Sequence, residues 1–160
     1  MPDFILESRV WLPKPRADVF PFFADPANLA RLSPPRCHVA LLTPGATMRP
    51  GAAFDYRMTW LGLPIRWRAF IREFDPPVRI VDVQVRGPYA RWEHRHLFLD
   101  ERGGTWVEDR VTYRLPFGPL GRLVHALVVG RQLAGIWAYR RARLAELVAP
   151  VFDGPINLDG

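Results

Sequence analysis

The chain has 160 residues, of which 49% are hydrophobic, enough for one domain with one sizeable core. Its formal charge of +6 comes from 22 basic residues, all but Lys14 arginine, scattered along the chain and mostly beside Asp or Glu, with RRAR at 140–143 as the one cluster. A dispersed pattern argues against a nucleic-acid footprint, which concentrates its charge, and apolar runs broken by Arg, Pro or Gly argue against a membrane-inserted segment.

A single cysteine, Cys37, permits no intramolecular disulfide, and the opening MPDFILESRV lacks the basic-then-apolar layout of a signal peptide, so a cytoplasmic setting is expected. FILESRVWL at 4–12 reads as the first strand, closed by Pro13 and Pro15. PRADVFPFFADPANLARL reads as two short helices, with Pro15 at a first helical position and Asp25-Pro26 as a start signal for the second. Further strands are expected at 37–43, 52–61, 64–74, 78–87, 90–100 and 105–115, the last five separated by LGLP, DPPV, RGPYA and ERGGT. From Pro119 to Val148 the period becomes helical, with Leu120, Leu123, Leu127, Ala134, Trp137, Leu144 and Val148 near one stripe. Gly130 and Gly135 inside that helix imply a bend, a close backbone contact or space left for something else. The expected organisation is one domain over 1–150 and an irregular tail over 151–160.

Tight hairpins determine which residues share a face. With Gly62-Leu63 as the first loop, Met58 pairs with Trp67, Tyr56 with Ala69 and Phe54 with Ile71. The next turns set Ile71 opposite Asp82, Ala69 opposite Gln84, Gln84 opposite Trp92 and Asp82 opposite His94. Gly103-Gly104 as the last loop pairs Phe98 with Asp109, His96 with Val111 and His94 with Tyr113. The inner face then carries Tyr56, Met58, Trp67, Trp92 and Phe98 around a polar group of Asp82, Gln84, His94, His96, Asp109 and Tyr113, while Arg91, Glu93, Arg95, Glu108, Arg110 and Arg114 point outward. Polar residues inside an apolar shell describe a ligand pocket.

The segments VFPFFADPANLARLSPP, FDPPVRIVDVQVRGPYARWEHRHLF and GGTWVEDRVTYRLPFGPLGRL, followed by the amphipathic helix, resemble the START-like (SRPBCC, helix-grip) superfamily, more closely its bacterial polyketide cyclase/dehydrase and lipid-transport group. The resemblance implies an α+β helix-grip fold, in which a curved antiparallel sheet of about seven strands wraps around a long C-terminal helix, with two short helices after strand 1. It also implies an elongated apolar cavity for a lipid, polyketide, quinone or similar ring-containing ligand, lined from the sheet by Tyr56, Met58, Trp67, Asp82, Gln84, Trp92, His94, His96, Asp109 and Tyr113, and from the helix by Leu127, Ala134 and Trp137. No catalytic set transfers with it.

Four readings of the polar group stay open. Two histidines and a carboxylate from Asp82 or Asp109 suit a metal, but backbones two residues apart on a strand are about 6.5 Å apart, so both rings would have to converge, and the group resembled is usually metal-free; no metal and no cofactor is expected. In a polyketide-type cyclase or dehydratase, His94 or His96 beside Asp82 would act as general base, with Tyr113 donating to the developing oxyanion. A purely structural network would hold His94 between Asp82 and Tyr113. A binding pocket would use Asp82, His94, Asp109 and Tyr113 to anchor the polar groups of a hydrophobic ligand. A homodimer, or a partner enzyme to which ligand is presented, also stays open. No nucleophile elbow, phosphate loop, zinc-finger spacing or dinucleotide fingerprint is present.

Overall fold

In the computed structural model, residues 3–150 are described in full and 152–159 as backbone. The strands are β1 (Phe4–Leu12), β2 (Ala40–Leu41), β3 (Ala53–Trp60), β4 (Leu63–Asp75), β5 (Arg79–Arg86), β6 (Arg91–Glu101), β7 (Gly104–Arg114) and β8 (Phe152–Asp159). They form one antiparallel sheet in the order β2-β3-β4-β5-β6-β7-β1-β8. Two short helices, α1 (Arg16–Phe23) and α2 (Asn28–Arg31), follow β1, and α3 (Gly118–Val124) runs through a π-helical turn at His125–Val129 into α4 (Gly130–Leu147). This is the α+β helix-grip arrangement. Among the described residues, no helix is long and apolar enough to cross a membrane.

The tail, expected to be irregular, instead pairs with β1 as β8, from Ile5 opposite Asp159 to Trp11 opposite Phe152. Without it, β1 would offer a row of unpaired backbone donors and acceptors at a sheet edge, and the tail satisfies them.

Two hairpin registers differ from expectation by two residues. Leu61 and Gly62 (φ 47° and 80°), not Gly62 and Leu63, make the first two-residue turn, and Arg102 and Gly103 (φ 53° and 75°) make the last. Both fit the turn that needs positive φ at its two central residues. Tyr56 therefore faces Trp67 and Met58 faces Ile65, while Phe98 faces Val107, His96 faces Asp109 and His94 faces Val111. Gly104 opens β7 opposite Glu101, where a Cβ would lie 2.4 Å from the Trp11 ring and 2.6 Å from the Leu12 carbonyl oxygen. A loop displaced by one residue moves the register by two, so every side chain keeps its face. Between β4 and β5, the expected pairs Ile71–Asp82 and Ala69–Gln84 are observed, because a bulge between Ile71 and Glu73 offsets a turn one residue longer than expected.

The core falls into two parts. Under α1, Phe98 is fully buried with its ring 5.0 Å from Phe20 and 5.1 Å from Phe23. The other part joins Phe54, Tyr56, Trp67, Tyr89, Trp92 and Tyr113 to Leu133 and Trp137 of α4. The helix stripe facing the sheet is Leu133, Trp137, Arg140 and Leu144, all buried. Leu120, Leu123 and Leu127, expected on that stripe, are 60%, 55% and 60% exposed. The π turn adds a residue to one helical turn and so rotates the two halves of the helix relative to each other. Gly130 closes that turn with its Cα against the His125 ring, where a Cβ would sit 3.4 Å from two ring atoms.

Candidate functional site

Between α4 and the inner face of β3–β6 lies a cavity of about 190 Å³. Strand alternation delivers Tyr56, Met58, Trp67, Asp82, Trp92, His94 and His96 to its wall, and α4 adds Gln132, Leu133, Ile136, Trp137 and Arg140. Phe22, Phe23, Asn28 and Leu29 from the α1–α2 region close another side.

Five expected lining residues lie elsewhere. Leu127 faces solvent, and Ala134 stands off the sheet-facing stripe of α4. Gln84 uses its amide to clamp the following turn, donating from Nε2 to the Tyr89 carbonyl at 2.8 Å and accepting from the Tyr89 backbone N–H at 3.2 Å. Asp109 is buried behind the two histidine rings. Tyr113 is fully buried, and its hydroxyl lies 2.7 Å from Nε2 of His125, whose ring stacks on Phe4 at 3.6 Å. Burial pushes the Tyr113 phenol up to about 12 and lowers His125, so a phenol and a neutral imidazole share this hydrogen bond. The Tyr113 hydroxyl is thus engaged by His125, and the residue does not line the cavity in which an oxyanion would form.

The polar end of the cavity is built on one carboxylate. Asp109 Oδ1 accepts from His94 Nε2 at 3.1 Å and lies 2.6 Å from His96 Nδ1, a contact too bent for a well-formed hydrogen bond. The outer nitrogens, His94 Nδ1 and His96 Nε2, each lie 3.9 Å from the same Asp82 oxygen, Oδ2. The rings, 3.9 Å apart between centroids, thus converge although their backbones sit two residues apart on β6. Burial alone would raise the carboxyl of Asp109, but the charge of His96 and the contacts of both rings outweigh it and hold the group well below the usual carboxylate range. His94 is lowered, first by burial and then by the charge of His96, with Asp109 opposing. A low-lying imidazole against an ionised carboxylate is equipped to orient a polar group, to accept a proton or to ligate a cation.

Two further residues carry unexpected weight. Arg140, from the basic cluster RRAR, is only 6% exposed and lines the cavity. Its guanidinium lies 4.7 Å from the Trp137 ring centre, and among the described residues it makes no ion pair within 4.0 Å and its Nε has no hydrogen-bond partner. Burial lowers it, while the charges of Asp109 and Asp82 oppose that shift. Its position was legible in principle, because 133, 137, 140 and 144 follow helical spacing. Tyr89, in what reads as a turn, is 6% exposed and packs its ring 4.8 Å from Trp92 and 5.9 Å from Trp67, with its hydroxyl accepting from Trp60 Nε1 at 3.2 Å. Tyr56 anchors the α1–α2 linker, donating to the Pro26 carbonyl at 3.0 Å.

The histidines set an acid limit on the fold. His94 and His125 are both held below their ordinary value, so the folded state prefers the neutral rings. Their stabilisation is full above the unfolded value of about 6.5 and is lost as pH falls from there through the folded values. Melting temperature should drop progressively from about pH 7 to pH 5, and His125→Gln should remove part of the slope; a flat profile would show that neither ring titrates against the fold.

A protein-family model for polyketide cyclase / dehydrase and lipid transport matches residues 12–135. No curated protein matches the sequence. Among solved structures, protein CV1439 from Chromobacterium violaceum is 18% identical with a TM-score of 0.70, over 91% of this chain and 97% of that one. TTHA0849 from Thermus thermophilus is 23% identical with a TM-score of 0.64, over 91% and 99%. A nucleoside-diphosphate sugar epimerase from Corynebacterium glutamicum contains a similar unit, 27% identical with a TM-score of 0.62, over 88% of this chain but 28% of the epimerase.

Proposed function

The chain belongs to the polyketide cyclase/dehydrase and lipid transport family, and from that membership we propose that it binds a hydrophobic, ring-containing small molecule between α4 and the sheet. The ligand's polar group would sit against Asp82, His94, His96 and Arg140, and its rings against Trp67, Trp92, Tyr89 and Trp137. The observation that carries this reading is an aromatic cavity whose helix wall holds Arg140 Nε and Trp137 Nε1 buried with no hydrogen-bond partner among the described residues. Donors in that condition are costly to the fold, and a ligand acceptor satisfies them.

Size narrows the class. A cavity of about 190 Å³ falls below the roughly 300–1,000 Å³ common for drug-sized ligands, which supports a compound of one or two rings, such as a small polyketide fragment or quinone head, over a diacyl lipid. Native mass spectrometry of gently purified protein should find such a compound retained, or taken up after incubation with 2-naphthoate. A protein that leaves purification empty and takes up neither aromatic acids nor phenols would overturn the reading.

A second reading, ring closure or dehydration with His96 or His94 as general base, is favoured by one feature. Both outer nitrogens turn toward the cavity-lining Asp82 while Asp109 holds the other side of each ring. His96, the less buried of the two side chains, is the better placed to meet substrate, and Arg140 takes the oxyanion role expected of Tyr113. Turnover of a poly-β-ketone model substrate, lost in His96→Gln with binding retained, would identify an enzyme, and binding without turnover a carrier.

A further inference from the structure

Asp109 draws one nitrogen of each histidine to itself, and a neutral imidazole that presents its N–H to a carboxylate turns a lone pair outward from its other nitrogen. The two remaining nitrogens, His94 Nδ1 and His96 Nε2, each lie 3.9 Å from the same carboxylate oxygen of Asp82. One donor atom from each of Asp82, His94 and His96 lies within 4.8 Å of the others. With each ring's proton on the Asp109 side, these nitrogens and the Asp82 oxygen are three acceptors around one point, and a positive charge there joins them.

We propose that Asp82, His94 and His96 bind a first-row divalent cation such as Zn²⁺, Fe²⁺ or Co²⁺, with Asp109 as the carboxylate that orients both imidazoles. The proposal does not depend on the identity of any organic ligand. A tetrahedral ion with bonds of about 2.0–2.1 Å holds its donors roughly 3.3 Å apart, so closing the site requires the partly exposed Asp82 carboxylate to approach each ring by about half an ångström and all three donors to draw in from a spread of up to 4.8 Å. Two imidazoles and one carboxylate suit borderline first-row metals and leave a position open toward the cavity. There a ligand oxygen could complete the coordination. The local charge agrees in sign: Asp82 and Asp109 bring two negative charges and Arg140 returns one. The competing occupant is a proton, shared between one histidine and Asp82.

EDTA-treated protein titrated with Co²⁺ separates the two. The cation site predicts one equivalent bound with the intense visible absorption of tetrahedral Co²⁺, displaced by Zn²⁺, and a higher melting temperature with either ion. Asp82→Asn and His96→Gln should each weaken Co²⁺ binding at least tenfold, and Asp109→Asn roughly 10- to 100-fold through loss of orientation. His38→Asn, at an exposed histidine in a left-handed turn that Asn tolerates, should leave uptake unchanged. A folded wild-type protein with no Co²⁺ spectrum and no melting shift would overturn the proposal, whatever the variants do. Uptake that survives both Asp82→Asn and His96→Gln but disappears in His38→Asn would do so equally.

Discussion

Replacing Asp109 by Ala is expected to cost the fold about 2–4 kcal/mol, the largest loss from any single polar substitution in the domain. Asp109 is 6% exposed and lies against the buried His94 ring at 3.1 Å and the partly buried His96 ring at 2.6 Å. Truncation removes the acceptor of the His94 ring N–H and the carboxylate charge against His96, and leaves a void behind both rings. Asp109→Asn keeps an oxygen acceptor and should cost clearly less. Urea unfolding of the two variants measures the difference directly. A loss below about 1 kcal/mol for Asp109→Ala would mean that the histidines find other partners, and the polar end of the cavity would then lack the rigid base described above.

Arg140→Met should act in the opposite direction on stability while damaging binding. The guanidinium is buried, is unpaired within ion-pair distance among the described residues and holds an unsatisfied Nε, whereas Met keeps an unbranched stem against Trp137. Removing such a charge should stabilise the fold by about 1–2 kcal/mol, since well-packed apolar replacements of buried ions are often stabilising. A charge-assisted hydrogen bond contributes about 1.5–3 kcal/mol, so the affinity for 2-naphthoate should fall roughly 10- to 100-fold. Binding of neutral 2-naphthol should change little. A variant that unfolds earlier than wild type, or keeps its preference for the acid, would remove Arg140 from the site and make it a structural residue. The opposed signs reflect a cost in stability borne for function.

Much of the sheet was legible because its signals are local. RWEHRH at 91–96 separates into an outward string, Arg91, Glu93 and Arg95, and an inward one, Trp92, His94 and His96, simply because strand side chains alternate. Glu93 indeed turns outward to Arg72 at 2.9 Å, while Trp92 and His94 are buried. The turn chemistry of LGLP and ERGGT located the hairpins to within one loop residue, and that error preserves facing. Arg140 is less legible, because RRAR reads along the chain as a charge cluster, although helical geometry sends Arg140 to the same face as Leu133 and Trp137.

The order of elements, the inner and outer faces of the sheet and the set of polar residues on its inner face follow from the sequence alone, because alternation and turn preference act between residues close in the chain. Which of those residues meet the cavity was decided by tertiary packing. The π turn against His125 sets the rotation of α4, exposing Leu127 and presenting Arg140. A two-residue register puts Asp109 across from His96, and a ring from the far helix takes the hydroxyl of Tyr113. Each of these depends on contacts between segments distant in sequence, whose distances and angles no local pattern encodes.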